Sequence, residues 1–434
     1  MAGPLPVGLL PDTASIGGDG RLSVGGCDLV DLADEYGTPL FVYDEAHLRA
    51  RCREAVAAFG DGVAYASKAF LCGAMARLAH EEGMHLDVAT GGELAVARRA
   101  GVPGDRLVLH GNNKSDLELA MAVDEGVGRI VVDSFDELDR LDALFAATGA
   151  RPRVLLRITP GVEAHTHEFV ATGQDDSKFG FTVSTGLAVA AVERAAASTS
   201  VDLVGLHAHI GSQVFEVGAF ARAVEVLAGF AAPFGLPELS VGGGLGVPYV
   251  EGESAPTITE WAAGIRAVCE AAGVTARVSA EPGRSIVAAA AVTLYRVGTV
   301  KDLPGIRTYV AVDGGMSDNP RPVLYGSGYE TLLPRSADAE RPRAVRVVGK
   351  HCESGDLLVR EGWVPDDLAV GDVLATPVTG AYGVSMGSNY NHVLRPAVVF
   401  VADGEARLVV RRETYDDLVL RDTFAGGDVA ELGD

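Results

Sequence analysis

The chain has 434 residues, 48% hydrophobic and 22% charged, which suits a soluble protein with a large core and two domains. Its formal net charge of −23 argues against nucleic acid or an anionic membrane as a partner. The five cysteines include no Cys-x-x-Cys pair and no zinc-type spacing with histidine, so a reducing compartment and no metal are expected.

Residues 1–6 lack the basic and apolar regions of a signal peptide, and no segment has the apolar length of a membrane span. A cytoplasmic protein is expected. The stretch up to about residue 43 is β-rich at 22–24 and 40–43 and is a candidate to join a later β domain. From about residue 62, short β-branched runs alternate with amphipathic helical stretches. The strand candidates are 62–66, 86–89, 106–110, 129–133, 153–158, 203–209, 238–242 and 276–281. Ser115 with Glu118 and Ser134 with Glu137 have the spacing of capping boxes, and Gly101 closes the helix before it. Eight strands alternating with helices, without a dinucleotide glycine fingerprint after the first, predict an α/β fold, a (β/α)8 TIM-type barrel over 44–288. Beyond about 288 the pattern turns to alternating strands at 290–300, 307–313, 343–350, 373–379, 395–402 and 406–412. A second, mostly β domain of residues 1–43 plus 289–434 follows.

Barrel chemistry collects where strands end. In chain order those ends carry Lys68, Asp87, His110, Asp133, Arg157, His209, Gly242-Gly243-Gly244 and Glu281. A single lysine there is ordinarily a snorkelling side chain, and Asp133 and His110 are open to a plain reading as helix caps. Lysine, arginine, histidine, a glycine cluster and glutamate together exceed what capping requires. Glycines at 242–244 and 246 allow backbone amides to close around an anion, with Ser212 nearby in sequence, although a glycine run is more often a simple turn. Glu281 needs a protonated partner in an apolar interior. Arg284 is one candidate; the protonated nitrogen of a pyridine ring is another. An amine, a phosphate cradle and a pyridinium partner are the three anchors of pyridoxal 5′-phosphate.

The segments Tyr65-Ala66-Ser67-Lys68, Asp87-Val88-Ala89-Thr90-Gly91-Gly92-Glu93 and His209-Ile210-Gly211-Ser212-Gln213 carry a resemblance, as do Glu281-Pro282-Gly283-Arg284, Asp313 to Arg321, Cys352-Glu353-Ser354-Gly355-Asp356 and Gly380-Ala381-Tyr382. Together they resemble the diaminopimelate decarboxylases, within the alanine-racemase-like (fold type III) pyridoxal-phosphate enzymes, over nearly the whole chain. By that resemblance Lys68 holds the cofactor covalently, His209 stacks on its ring and Glu281 pairs with the ring nitrogen. Ser212, Gly243, Gly244, Gly246, Gly283, Arg284 and Tyr382 match the phosphate site, and Asp87 falls among the cofactor-binding positions. Arg284, Arg321, Tyr325, Glu353 and Tyr382 match substrate contacts, and Cys352 the proton donor. Cys352 and Glu353 match residues supplied by the partner of a homodimer with shared active sites. The implied reaction is decarboxylation of meso-2,6-diaminopimelate to L-lysine, the last step of lysine biosynthesis. A paralogue acting on another basic or acidic amino acid is the alternative, and a catalytically silent relative is disfavoured because Lys68 and Cys352 are both present. Glu353 stands where ornithine-type relatives carry aspartate, and residues 383–387 depart mildly from the family pattern. Whether 161–182, with His165, His167 and Lys178, is a lid or a fixed loop stays open.

Overall fold

The computed structural model describes residues 3–5, 7–162, 175–209, 211–215 and 217–423. His165 and His167 lie outside the described residues. The chain divides into two compact units: His47–Pro248 with Gly252–Ala289, and the residues up to Ala46 with Tyr249–Glu251 and those from Ala290 onward.

The first unit is the barrel. Its parallel strands are Ala64–Ala66, His85–Val88, Leu107–Leu109, Arg129–Val132, Arg153–Thr159, Asp202–His207, Glu238–Ser240 and Arg277–Ser279, each paired with its neighbour in that order. The ring closes by backbone hydrogen bonds from Ala64 N to Ala280 O (3.0 Å) and from Ala66 N to Pro282 O (3.1 Å). A short strand not anticipated from sequence, Phe181–Thr182, pairs with the end of Arg153–Thr159. Most of these strands are buried at every position, as expected when helices cover one face and barrel interior the other.

Several of the barrel helices begin at side-chain caps. Ser115 and Glu118 form the expected reciprocal box, and Thr257 with Glu260 forms another. Ser134 accepts from Glu137 N as expected, but the Glu137 carboxylate does not complete the box. It is buried and turns instead to Lys114 Nζ (2.8 Å) and Asp133 N (3.1 Å), because a buried lysine needs an anion more than a cap needs a second bond.

The second unit is mostly β. Its long strand Ala291–Leu303 pairs with Leu40–Asp44 and Val373–Pro377 along its first half and with Arg307–Val312 along its second. Ala397–Ala402 and Glu405–Val410 extend one side; Arg343–Val348 and Leu357–Val364 extend the other. The strand at 40–44 thus joins this sheet, whereas Leu22–Val24 sits in a separate small antiparallel sheet with Ser15–Ile16 and Cys27–Asp28.

Candidate active site

Ala64, Val108, Val131, Leu155 and Val204, from five barrel strands, form one buried apolar cluster. Side chains repeat with period two along a strand, so His110, Asp133 and Arg157, two residues beyond Val108, Val131 and Leu155, continue the same face one layer higher. All three are buried. That layer is where the apolar core gives way to charge.

Glu281, two residues past the last barrel strand, is the centre of the layer. His207 Nε2 lies 3.0 Å from its Oε2, Ser240 Oγ donates to its Oε1 at 2.9 Å, and His110 Nε2 lies 3.5 Å from Oε1. Burial alone would raise its pKa, but His207 and His110 outweigh that and hold the carboxyl well below its usual range. Asp87 is pushed the other way, chiefly by burial. Burial takes His207 down to about 4, so it meets Glu281 as a neutral N–H donor.

His209, half-buried on the segment after Asp202–His207, accepts at Nδ1 from Gly243 N (3.1 Å). Burial and the nearby charges of Lys68 and Arg157 hold it well below its usual pKa, leaving a neutral ring. The glycine loop is zipped to the segment carrying Ser212: Val214 N donates to Gly244 O and Gly246 N to Val214 O, both at 3.0 Å. Gly242 and Gly244 have φ of 69° and 117°, and a Cβ on Gly243 would come 2.4 Å from Glu281 O. Glycine is therefore demanded here by backbone packing. The amides of Gly243 and Gly246 are hydrogen-bonded within the fold, to His209 Nδ1 and Val214 O. Arg284 Nη2 donates to Ser212 Oγ at 3.1 Å, which places a cation and a hydroxyl together beside this loop. Gly283 approaches Ala66 closely, its notional Cβ 3.0 Å from Ala66 O. Lys68 lies in the turn Ser67–Ala69 after the first strand and is exposed, with its charge acting on His209 and Asp87.

The other group of expected residues lies in the second unit. Arg321, 4% exposed, opens the short helix Arg321–Tyr325. Its guanidinium sits 4.0 Å from the Tyr249 ring centroid and donates from Nη1 to Tyr329 Oη at 2.7 Å. The two tyrosines meet edge-on at 5.2 Å, making an aromatic box that keeps the cation rigid. Its buried Nε has no hydrogen-bond partner among the described residues, a donor suited to a carboxylate. Tyr325 ends that helix, half-buried. Cys352 and Glu353 are exposed on a loop pinned by Asp356, whose carboxylate accepts from His351 N (2.9 Å) and Met316 N (2.6 Å). Asn391 Oδ1 accepts from Cys352 N at 3.3 Å. Tyr382 is half-buried with φ 68°, a left-handed backbone unusual for a tyrosine.

Sequence reading missed His207, Ser240, Tyr249 and Tyr329. The alternation His207-Ala208-His209 puts two histidines on one side of an extended chain and was a usable signal. Tyr249 and Tyr329 meet across 80 positions, which no local pattern reveals.

The profile of the family described as pyridoxal-dependent decarboxylase, pyridoxal binding domain, matches residues 45–288. Diaminopimelate decarboxylase of Mycobacterium tuberculosis (strain ATCC 25618 / H37Rv) is 51% identical over 422 residues, covering 92% of this chain and 94% of its own. The Bacillus subtilis (strain 168) diaminopimelate decarboxylase is 47% identical, covering 93% and 95%. The chain belongs to the diaminopimelate decarboxylase family. Among solved structures, the decarboxylase from M. jannaschii, in co-complex with L-lysine, superposes with a TM-score of 0.88 at 32% identity over 95% of this chain and 98% of that one. The enzyme is a carboxy-lyase that uses pyridoxal 5′-phosphate, and its barrel is of the alanine-racemase-like kind. The residues fit the cofactor: an exposed lysine for its aldehyde, a buried ionised Glu281 for its ring nitrogen, and the Ser212–Arg284 pair for its phosphate.

Proposed function

We propose that this enzyme removes one carboxylate from meso-2,6-diaminopimelate, releasing carbon dioxide and L-lysine in the last step of lysine biosynthesis. The observation that carries it is 51% identity to a diaminopimelate decarboxylase over nine-tenths of the chain, supported by the sequence motifs that carry Lys68, Glu281, Arg321 and Cys352. Lysine-complexed relatives support an amino-acid substrate.

When bound, pyridoxal phosphate supplies an electron sink for the pair left by the departing carboxylate. Lys68 is the amine that would hold the cofactor and give way to the substrate's amine. Glu281, kept ionised by its imidazoles, would hold a proton at the ring nitrogen. His209, neutral and tethered by Gly243 N, would lie against the ring face. Ser212 and Arg284 would take the phosphate, with Gly244 and Gly283 beside them and Gly243 and Gly246 in the same loop; by family resemblance Tyr382 would also serve it. Asp87 would act at one remove, through His110. Arg321, with Tyr325 and Glu353, would grip the distal end of the substrate, where carboxylate and ammonium share one carbon. Cys352 would return a proton to the α-carbon.

Carbon dioxide release from carboxyl-labelled meso-diaminopimelate, ornithine, lysine and arginine tests this directly. Turnover of diaminopimelate alone is expected; turnover of another amino acid in its place would reassign the enzyme to a paralogue. Tyr329→Phe removes a hydrogen bond from a buried guanidinium, so KM should rise about tenfold with a smaller change in kcat. An unchanged KM would separate Arg321 from the substrate.

We further place the enzyme in the cytoplasm as a homodimer with shared sites. Among the described residues, no helix is long and apolar enough to cross a membrane. The exposure of Cys352 and Glu353 on a well-pinned loop supports delivery to a second subunit. Mixing inactive Lys68→Ala and Cys352→Ala proteins should restore part of the activity, because one site of each heterodimer is then intact. Mixtures as inactive as their components would refute sharing.

A further inference from the structure

Three buried ionisable groups, Asp87, His110 and His207, gather around Glu281. His110 Nε2 lies 3.5 Å from Glu281 Oε1 and 3.7 Å from Asp87 Oδ1. Both separations are long for a hydrogen bond, so His110 acts on the two carboxylates mainly through charge. His207 does the opposite: it makes a 3.0 Å hydrogen bond to Glu281 while staying neutral. The two imidazoles meet edge-on, ring centroids 4.9 Å apart. All four residues are at least nine-tenths buried, with His207 at 1% exposure. Two carboxylates in such a site cannot both ionise without a cation near them.

We propose that Asp87, His110 and Glu281 form one alternating line of charge, in which a protonated His110 keeps Glu281 an anion before the cofactor arrives, while His207 fixes the plane of that carboxylate. His110 and His207 are then positioning residues that act through Glu281. The role assigned to Glu281 rests on the functional reading above; the charge line itself does not.

The charged and titratable groups facing His110 come from around the barrel: Asp87 from the second strand, Asp133 after the fourth, Arg157 from the fifth, His207 from the sixth, Glu281 after the eighth, and Glu93 from the helix after the second. Burial and Arg157 would lower the pKa of His110, but Asp87 and Glu281 prevail and raise it. The sign for stability follows. His110 contributes fully below the ordinary imidazole value, and the contribution is lost as pH rises through the raised one.

The test is a pH titration of histidine resonances by NMR in protein stripped of cofactor. His110 should remain protonated above the ordinary imidazole value, with His207 neutral down to about 4. Asp87→Asn should lower the His110 midpoint by about 1 to 3 pH units. A midpoint at or below the ordinary value, or one that Asp87→Asn leaves in place, overturns the proposal. In a second arm, His110→Gln should make cofactor affinity vary with pH between about 5 and 8, because a proton must then be shared by two carboxylates. An affinity profile parallel to that of the parent protein also counts against it. His110, His207 and Glu281 lie close enough to hold a metal ion. Stoichiometric zinc binding that abolishes both histidine titrations would replace the charge line with a metal site. Failure of the parent protein to bind pyridoxal phosphate would sink the functional reading while leaving the NMR result intact.

Discussion

Lys68→Ala protein should lack the visible absorbance of bound cofactor and lose turnover by about 10⁴-fold or more, since both the covalent hold and an acid–base group go together. The same change should leave folding stability within about 0.5 kcal/mol, because Lys68 is exposed and replacing it opens no cavity. Absorbance spectra, carbon dioxide release and thermal unfolding on one preparation separate these effects. Full turnover in the variant would refute the assignment of Lys68, whatever the spectrum showed.

Glu281→Gln should give a different signature. The cofactor still attaches, so the colour stays, but the ring nitrogen loses its anion and kcat should fall about 10²- to 10³-fold. Here a stability loss is expected too. Glu281 is buried against His110, and removing its charge leaves that imidazolium short of a counter-ion, a change that costs about 3 kcal/mol in buried pairs. Single-turnover kinetics and denaturant unfolding measure the two. A variant with parental kcat would mean that another group protonates the ring.

The barrel was legible because its strands are buried on both faces and stand out as short apolar runs between capped helices. The strand Leu357–Val364 escaped notice because Arg360, Glu361 and Gly362 interrupt its pattern, and Phe181–Thr182 was too short to register. The switch of Tyr249–Glu251 into the second unit was equally invisible. It is a three-residue excursion decided by the surroundings of Tyr249.

For the site, local order revealed candidate positions and family likeness supplied their roles. Lys68, His209, Glu281, Arg284, Arg321 and Cys352 all stand in recognisable motifs, and each motif is a continuous run of chain. Those runs by themselves determined the family and the cofactor, and marked the residues proposed to hold it. Tertiary structure alone decided the environments. It spent the amides of Gly243 and Gly246 inside the fold, exposed Lys68, boxed Arg321 between two tyrosines and gathered His110, His207 and Asp87 about Glu281. Charge, burial and hydrogen bonding depend on distances of a few ångströms between groups tens to hundreds of residues apart. Sequence motifs carry residue type; only the folding of each unit, barrel and β-rich, brings its own groups within reach of one another.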